Sequence, residues 1–395
     1  MKDALDVVMA WQLRNPDSTD ATAAIEAVRA SREEQTDSEL PSRLASHFLQ
    51  LTIPPFFPQN KSAINTLEAS RQPCPWKDPG ASYILDLLRW SMGALRRREI
   101  VARWHLLVPP ILRMVDDVDT GWKAKGCNLL GLLLGRLQWL GVRDAHSSKR
   151  IDNRSTSDFL QRTGYHNVFS EALLPLFTYI PSLTQEADAV VLFKEVLPSL
   201  TTLALLLPVE DDRCEGRQCM LDKIMREGIL SPLAHFPTPS TYPELAAVIT
   251  RHVPLLLGHM GIESVRHLPN LVPLLSAMLR EPFIISHERL TTSTLKALQA
   301  VMLNAWPRIP GHRGAIMMGL CMCWERCLNE VIALEERQVT EVKTQLQETV
   351  AMLNAVMEGL DDNTLRQEWE DEKQALKKTS LIYGGLFEAC DAMGG

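Results

Sequence analysis

The chain has no run of alternating β-branched and polar residues that would mark a strand, so a sheet is excluded and the fold reads as all-α. Positive charge is not in excess either. Lys and Arg number 41 against 48 Asp and Glu, for a formal net charge of −7. Nucleic-acid binding needs a basic face to displace counterions from phosphates, and that class is excluded. No stretch approaches eighteen consecutive apolar residues, and Met1-Lys2-Asp3-Ala4-Leu5 lacks a charged-then-apolar leader pattern; neither a membrane span nor a signal peptide is expected. The eight cysteines show no framework spacing, which is the pattern of reduced thiols and an expectation of cytoplasmic and nuclear residence. Arg96-Arg97-Arg98 with Arg103 is the one local basic cluster. It reads either as a phosphate or acidic-partner site or as a solvated helix face.

The signatures of catalysis are missing too. No G-x-x-x-x-G-K-[ST], G-x-S-x-G, H-E-x-x-H or G-x-G-x-x-G occurs, and His287-Glu288 lacks a second histidine. Asp119-Thr120-Gly121 has the letters of an aspartic-protease loop, but that chemistry needs two carboxylates sharing a proton and there is one copy. Asp117, Asp119 and Gly121 loosely echo a calcium loop, with the glycine one place early and Asn128 where the bidentate Glu should stand. Cys321, Cys323 and Cys327, with His312 upstream, sit in a helix among Met317, Met318, Met322 and Trp324, and they read as core rather than as zinc ligands. No catalytic residue, cofactor or metal is therefore assigned.

What is present is a rhythm: apolar helix, Pro/Gly/Ser break, amphipathic helix, repeated along the chain. Ile100, Trp104, Leu107, Val108, Ile111, Leu112 and Val115 fall on one face at helical spacing. After the acidic turn 116–121, Trp122, Gly126, Leu129, Leu130, Leu133, Leu137 and Leu140 form a second stripe. Later pairs run over 168–207, 220–257 and 265–306. Starts near Val168, Met220, Val265 and Arg313 lie about 45–52 residues apart, the long end of HEAT and armadillo repeats. Ser182 and Gln185 have capping-box spacing at the start of one second helix. Prolines 109, 110, 175 and 273 fall in first helices, where they would bend the outer layer. The pattern is an α-solenoid of HEAT/armadillo-like repeats, a class that binds proteins.

Along the chain, residues 1–70 read as an N-terminal helical segment, with helices near 5–13, 21–30 and 40–51 around a polar stretch 31–38. Residues 71–314 read as the repeat array. The segment 71–80 is irregular, but its Trp76 should pack against something. Within the array, 141–158 reads as a loop too poor in large apolar residues to order itself. Residues 315–395 read as C-terminal helices. There Val339, Val342, Leu346, Val350, Leu353, Met357 and Leu360 stripe one long amphipathic helix that either caps the array or docks onto a partner.

The stretch WHLLVPPILRMVDDVDTGWKAKGCNLLGLLL, Trp104 to Leu134, resembles the Tti-two family, the second Tel-two-interacting protein. Arg162-Thr163-Gly164-Tyr165, ALLPLFTYIPSLT from Ala172 to Thr184, Leu279-Arg280-Glu281-Pro282-Phe283 and Ala305-Trp306-Pro307-Arg308 extend the likeness in order. The resemblance implies a HEAT-like, non-enzymatic subunit of the TTT co-chaperone complex with Tti-one-like and Tel-two-like partners. That complex works with the heat-shock chaperone machinery to mature and stabilise phosphatidylinositol-3-kinase-related kinases. It also implies that Asp116, Asp117, Asp119, Trp122, Lys123 and Lys125 shape the repeat. For partner binding the expectation falls on tryptophans near C-terminal helix ends, Trp306, Trp324 and Trp369. The rival readings are a generic HEAT/armadillo adaptor such as a transport factor, and a helical hydrolase with an unrecognised site.

Overall fold

The computed structural model describes residues 40–58, 74–81, 83–138, 154–209, 216–329 and 336–388. Among them every regular element is helical and none is a strand. The expected helices before residue 39 and the polar stretch 31–38 lie outside the described residues. The chain divides into two compact units, Met1–Ala172 and Leu173–Gly395.

In the first unit, α1 (Leu40–His47, prolonged by a π turn over Phe48–Thr52) packs on α2 (Tyr83–Ala94). After the short α3 (Arg97–Ala102), α4 (Trp104–Val115) packs on α5 (Thr120–Gln138), and α5 in turn packs on α2. α6 (Arg154–Thr163) and α7 (Tyr165–Leu173) follow. Trp76 is buried, stacked on Phe57 at 5.0 Å, with the Arg113 guanidinium 5.2 Å over its ring. The predicted loop 141–158 ends early, because Arg154–Asp158 already belong to α6. Thr156 and Ser157 are buried there, and Thr156 takes a hydrogen bond from Arg97. One inward hydrogen bond, from Arg97 to Thr156, ties this segment to α3, which an apolar tally does not register.

In the second unit the helices form two layers. One runs α8 (Glu186–Leu206), α11 (Pro243–Met260), α13 (Glu288–Ala305), α15 (Glu336–Glu358), each packed on the next. The other holds the 3-10 segment Leu174–Thr178, then α9 (Arg217–Lys223) and α10 (Ser231–His235) joined by a π-helical stretch over Ile224–Leu230. It continues with α12 (Leu268–Leu279) packed on α14 (Arg313–Asn329), and α16 (Asn363–Thr379) follows α15. Each pair buries a stripe it could not bury alone, which is the physics of an α-solenoid. The apolar stripe of α15 from Val339 to Leu360 is buried, so this helix is the last member of its layer.

Two expectations are corrected and one is extended. Gln185 is itself the residue preceding α8 and its side chain makes no cap; the helix starts at Glu186, so the Ser182–Gln185 box falls outside it. Pro109, Pro110 and Pro273 lie inside first helices as expected, and Pro198 and Pro254 lie inside second ones. Two stretches, Glu186–Leu206 and Pro243–Leu279, are long and apolar enough to cross a membrane. The apolar window of the first is 67% buried inside the fold, as a core helix requires.

Helix termini leave backbone groups without intrahelical partners, and here side chains from neighbouring helices satisfy several of them. Arg136 of α5 donates to the carbonyls of Gly93 and Leu95 at the end of α2, at 3.0 and 3.1 Å. Lys123 donates to Val115 at the end of α4, at 3.1 Å. Arg217 reaches Leu205 at the end of α8 at 2.8 Å, and Arg326 reaches Leu279 at the end of α12 at 3.1 Å. A cation at a helix C-terminus also meets the negative end of the helix dipole.

Candidate interaction surface

The acidic turn between α4 and α5 is structural down to its atoms. Asp119 caps α5, its Oδ1 accepting the Trp122 N–H at 3.0 Å. Asp117 accepts the Asp119 N–H at 2.8 Å and takes Lys77 Nζ at 2.8 Å. The Asp116 carboxyl is pushed above the usual range by burial, against the opposing pull of Lys123. Lys123 is buried on the Val115 carbonyl, and Lys125 Nζ lies 3.9 Å over the Trp122 ring, a cation–π contact. An Asp–Lys pair thus joins Asp117 of this turn to Lys77, well before it in the chain. Gly126 completes the unit: a Cβ there would meet Val115 N at 2.6 Å, so α4 and α5 touch backbone to side-chain-free backbone.

The basic cluster 96–98 is likewise used locally. Arg96 pairs with Glu99 at 3.3 Å, Arg97 bonds Thr156, and Arg103 reaches the Glu99 carbonyl. Cys321, Cys323 and Cys327 are buried in α14, and burial with the nearby Glu325 pushes the Cys321 thiol up to about 11. Among the described residues no group of three or more His, Cys, Asp or Glu gathers as metal ligands. The most enzyme-like grouping is Asp222, 2.9 Å from His267 Nε2, with Ser264 three residues before the histidine. Ser264 is 1% exposed and His267 4%, so no substrate reaches them.

Chemistry gives way to surface. Glu244 at the start of α11 pairs with Arg289 at the start of α13 at 3.3 Å, so these two helices begin side by side. Both are 18 residues long, and their ends fall on one edge of the unit. That edge presents Ile262, Leu303 and Trp306, each at least half exposed. Phe283, 67% exposed, sits in the turn between α12 and α13 at the other edge. Isolated exposed apolar residues are ordinary, but aliphatic and aromatic side chains on one solenoid edge are what a partner surface offers.

The three tryptophans part company here. Trp306 is 50% exposed and available to a partner. Trp324 is buried, and its indole donates to the Ile382 carbonyl at 2.9 Å. Trp369 is 1% exposed, with its indole donating to Asn354 Oδ1 at 3.0 Å. Both hold the C-terminal segment to α14 and α15, and of the three only Trp306 is half exposed. Sequence reasoning missed Glu186, whose carboxylate accepts the Glu244 and Leu245 N–H groups at 3.0 and 3.2 Å and so caps the next helix of its layer. It also missed Ile262 and Phe283, since turn residues carry no periodicity.

Comparison with known proteins follows the same division between fold and chemistry. One stretch of 31 residues is 71% identical to "Nucleotidyltransferase lcsQ" of Purpureocillium lilacinum. It spans 8% of this chain and only 5% of that protein's length, so the activity in that name stays with that protein. A profile of the Tti2 family matches residues 9–286, well over half of the chain, including all the Asp-turn residues and the ends of α11 and α12. By this match the chain belongs to the Tti2 family.

Proposed function

We propose that this protein is a non-enzymatic scaffold and co-chaperone subunit of the TTT complex, assembled with Tti-one-like and Tel-two-like partners. In that role it supports maturation and stability of phosphatidylinositol-3-kinase-related kinases together with the heat-shock chaperone machinery, in the cytoplasm and nucleus. The observation that carries the reading is the family match over a solenoid whose polar clusters are consumed by capping. The exposed edge with Ile262, Leu303 and Trp306 supports a protein partner on the second unit. Affinity purification of the tagged chain from its own cells, with mass spectrometry of what remains bound, is the test. Recovery of Tel-two-like and Tti-one-like subunits with large kinases supports the assignment. Recovery of transport factors in their place would favour a general HEAT/armadillo adaptor.

A further inference from the structure

α16 is unlike the other long helices of the second unit. Of its 17 residues only Trp369 and Lys373 are buried, whereas α8, α11 and α13 bury a continuous stripe. Polar contacts hold it. The Arg313 guanidinium at the start of α14 donates to Glu372 at 2.9 Å and to Glu368 at 3.0 Å. Asn354 Oδ1 of α15 accepts both the Trp369 indole at 3.0 Å and Lys373 Nζ at 2.8 Å. Glu368 and Glu372 are themselves about half exposed, and exposed ion pairs contribute little each. Downstream, the chain crosses the same helix pair: Trp324 donates to Ile382, Gln347 donates to the Gly385 carbonyl at 2.7 Å, and Leu386 and Phe387 are fully buried.

A fork of Arg313, an amide at Asn354 and a tryptophan socket together recognise one ligand chemistry: a helix with an aromatic anchor between two carboxylates four residues apart. We infer that this surface of α14 and α15 is a receptor for an acidic, aromatic-anchored helix of a partner protein, and that α16, with Glu368-Trp369 and Glu372, occupies it in cis as a displaceable latch. The charge complementarity comes from the occupant already seated there, and the sparse apolar burial places α16 among the segments that open before the global fold does. Opening leaves Arg313 and Asn354 facing the vacated groove, where a helix of the same character would restore every bond. The inference does not depend on the identity of the complex.

The test uses the full chain. In hydrogen exchange, the α16 amides should exchange well ahead of those of α11 and α13, and faster still in high salt. E368K/E372K should speed α16 exchange about thirtyfold, the equivalent of losing two ion pairs at the strong end of the exposed range. A labelled peptide with the sequence of residues 362–379 should bind E368K/E372K but not the parent chain, and should lose binding when R313E is added. A triple variant R313E/E368R/E372R should restore slow α16 exchange, which separates charge pairing from misfolding. The latch is overturned if α16 exchanges only with global unfolding. The receptor is overturned if α16 opens in E368K/E372K yet the peptide binds it no better than the parent.

Discussion

The position a Cβ would take on Gly126 lies 2.6 Å from the amide nitrogen of Val115 and 2.9 Å from its Cγ2. Backbone cannot yield as a flexible side chain does, so this spacing fixes how closely α4 and α5 approach. G126A should therefore cost about 1–3 kcal/mol or more by overpacking. Gly135, one helix segment further along α5, has open space around its missing Cβ. G135A should be neutral or stabilising, by up to about 1 kcal/mol from helix propensity. Denaturant unfolding of both variants checks the pair, and equal effects would discard the close-approach account.

Arg136 closes the end of α2 from α5, so its removal leaves two carbonyls without a donor. R136M keeps most of the stem and should destabilise the first unit by about 2 kcal/mol, as loss of charge-assisted hydrogen bonds does. R136K, which retains a cation but not the fork, should fall between. Urea midpoints of the three chains provide the ordering.

His252 provides a pH dependence in the second unit. Burial, with a smaller push from His259, lowers its pKa from the ordinary 6.5 to about 4. Its Nε2 shares a 2.8 Å hydrogen bond with Thr201 Oγ1, while that hydroxyl donates to the Leu197 carbonyl at 2.8 Å, so the ring is the donor. A folded pKa below the unfolded one means the unfolded chain binds the extra proton between these values. The contribution is full above pH about 6.5 and is lost as pH falls toward about 4, on the order of 3 kcal/mol in total. H252Q should flatten this part of the stability curve; a curve parallel to the parent's from pH 7 to 4 would contradict it.

Partner assembly should respond to the outward faces, not the buried ones. Glu341 and Glu348 are exposed on α15 opposite its buried stripe. E341K/E348K should weaken co-purification of the Tti-one-like subunit while circular dichroism stays unchanged. W306A should act in the same direction with a small stability cost, since half its surface already faces solvent. Undiminished assembly of both variants would remove this unit's outer face from the interface.

Much of the fold was legible because burial imposes a period. The stripes Ile100–Val115 and Val339–Leu360 are core except for Leu112, which is only partly covered, as is Trp122 at the head of the next stripe. The capping role of Asp119 was readable as well, because an Asp before a helix has one dominant use. Contacts between repeats were not readable. Glu186 and Glu244 are 58 residues apart, and nothing in the letters says that one carboxylate closes the other's helix. The burial of Trp324 and Trp369 was not readable for a related reason: a terminal helix and a partner helix offer an indole the same socket, and sequence cannot say which one fills it.

The capping of α11 by Glu186 gives the array a direction. The carboxylate that closes α11 is supplied by a helix made earlier, and the arginine that answers Glu244 arrives later, on α13. During synthesis α11, and after it α13, meets an earlier neighbour already holding a group that fits its first turn. Over these three helices the order of translation and the order in which the fitting groups become available coincide, like the teeth of a zip closed from one end.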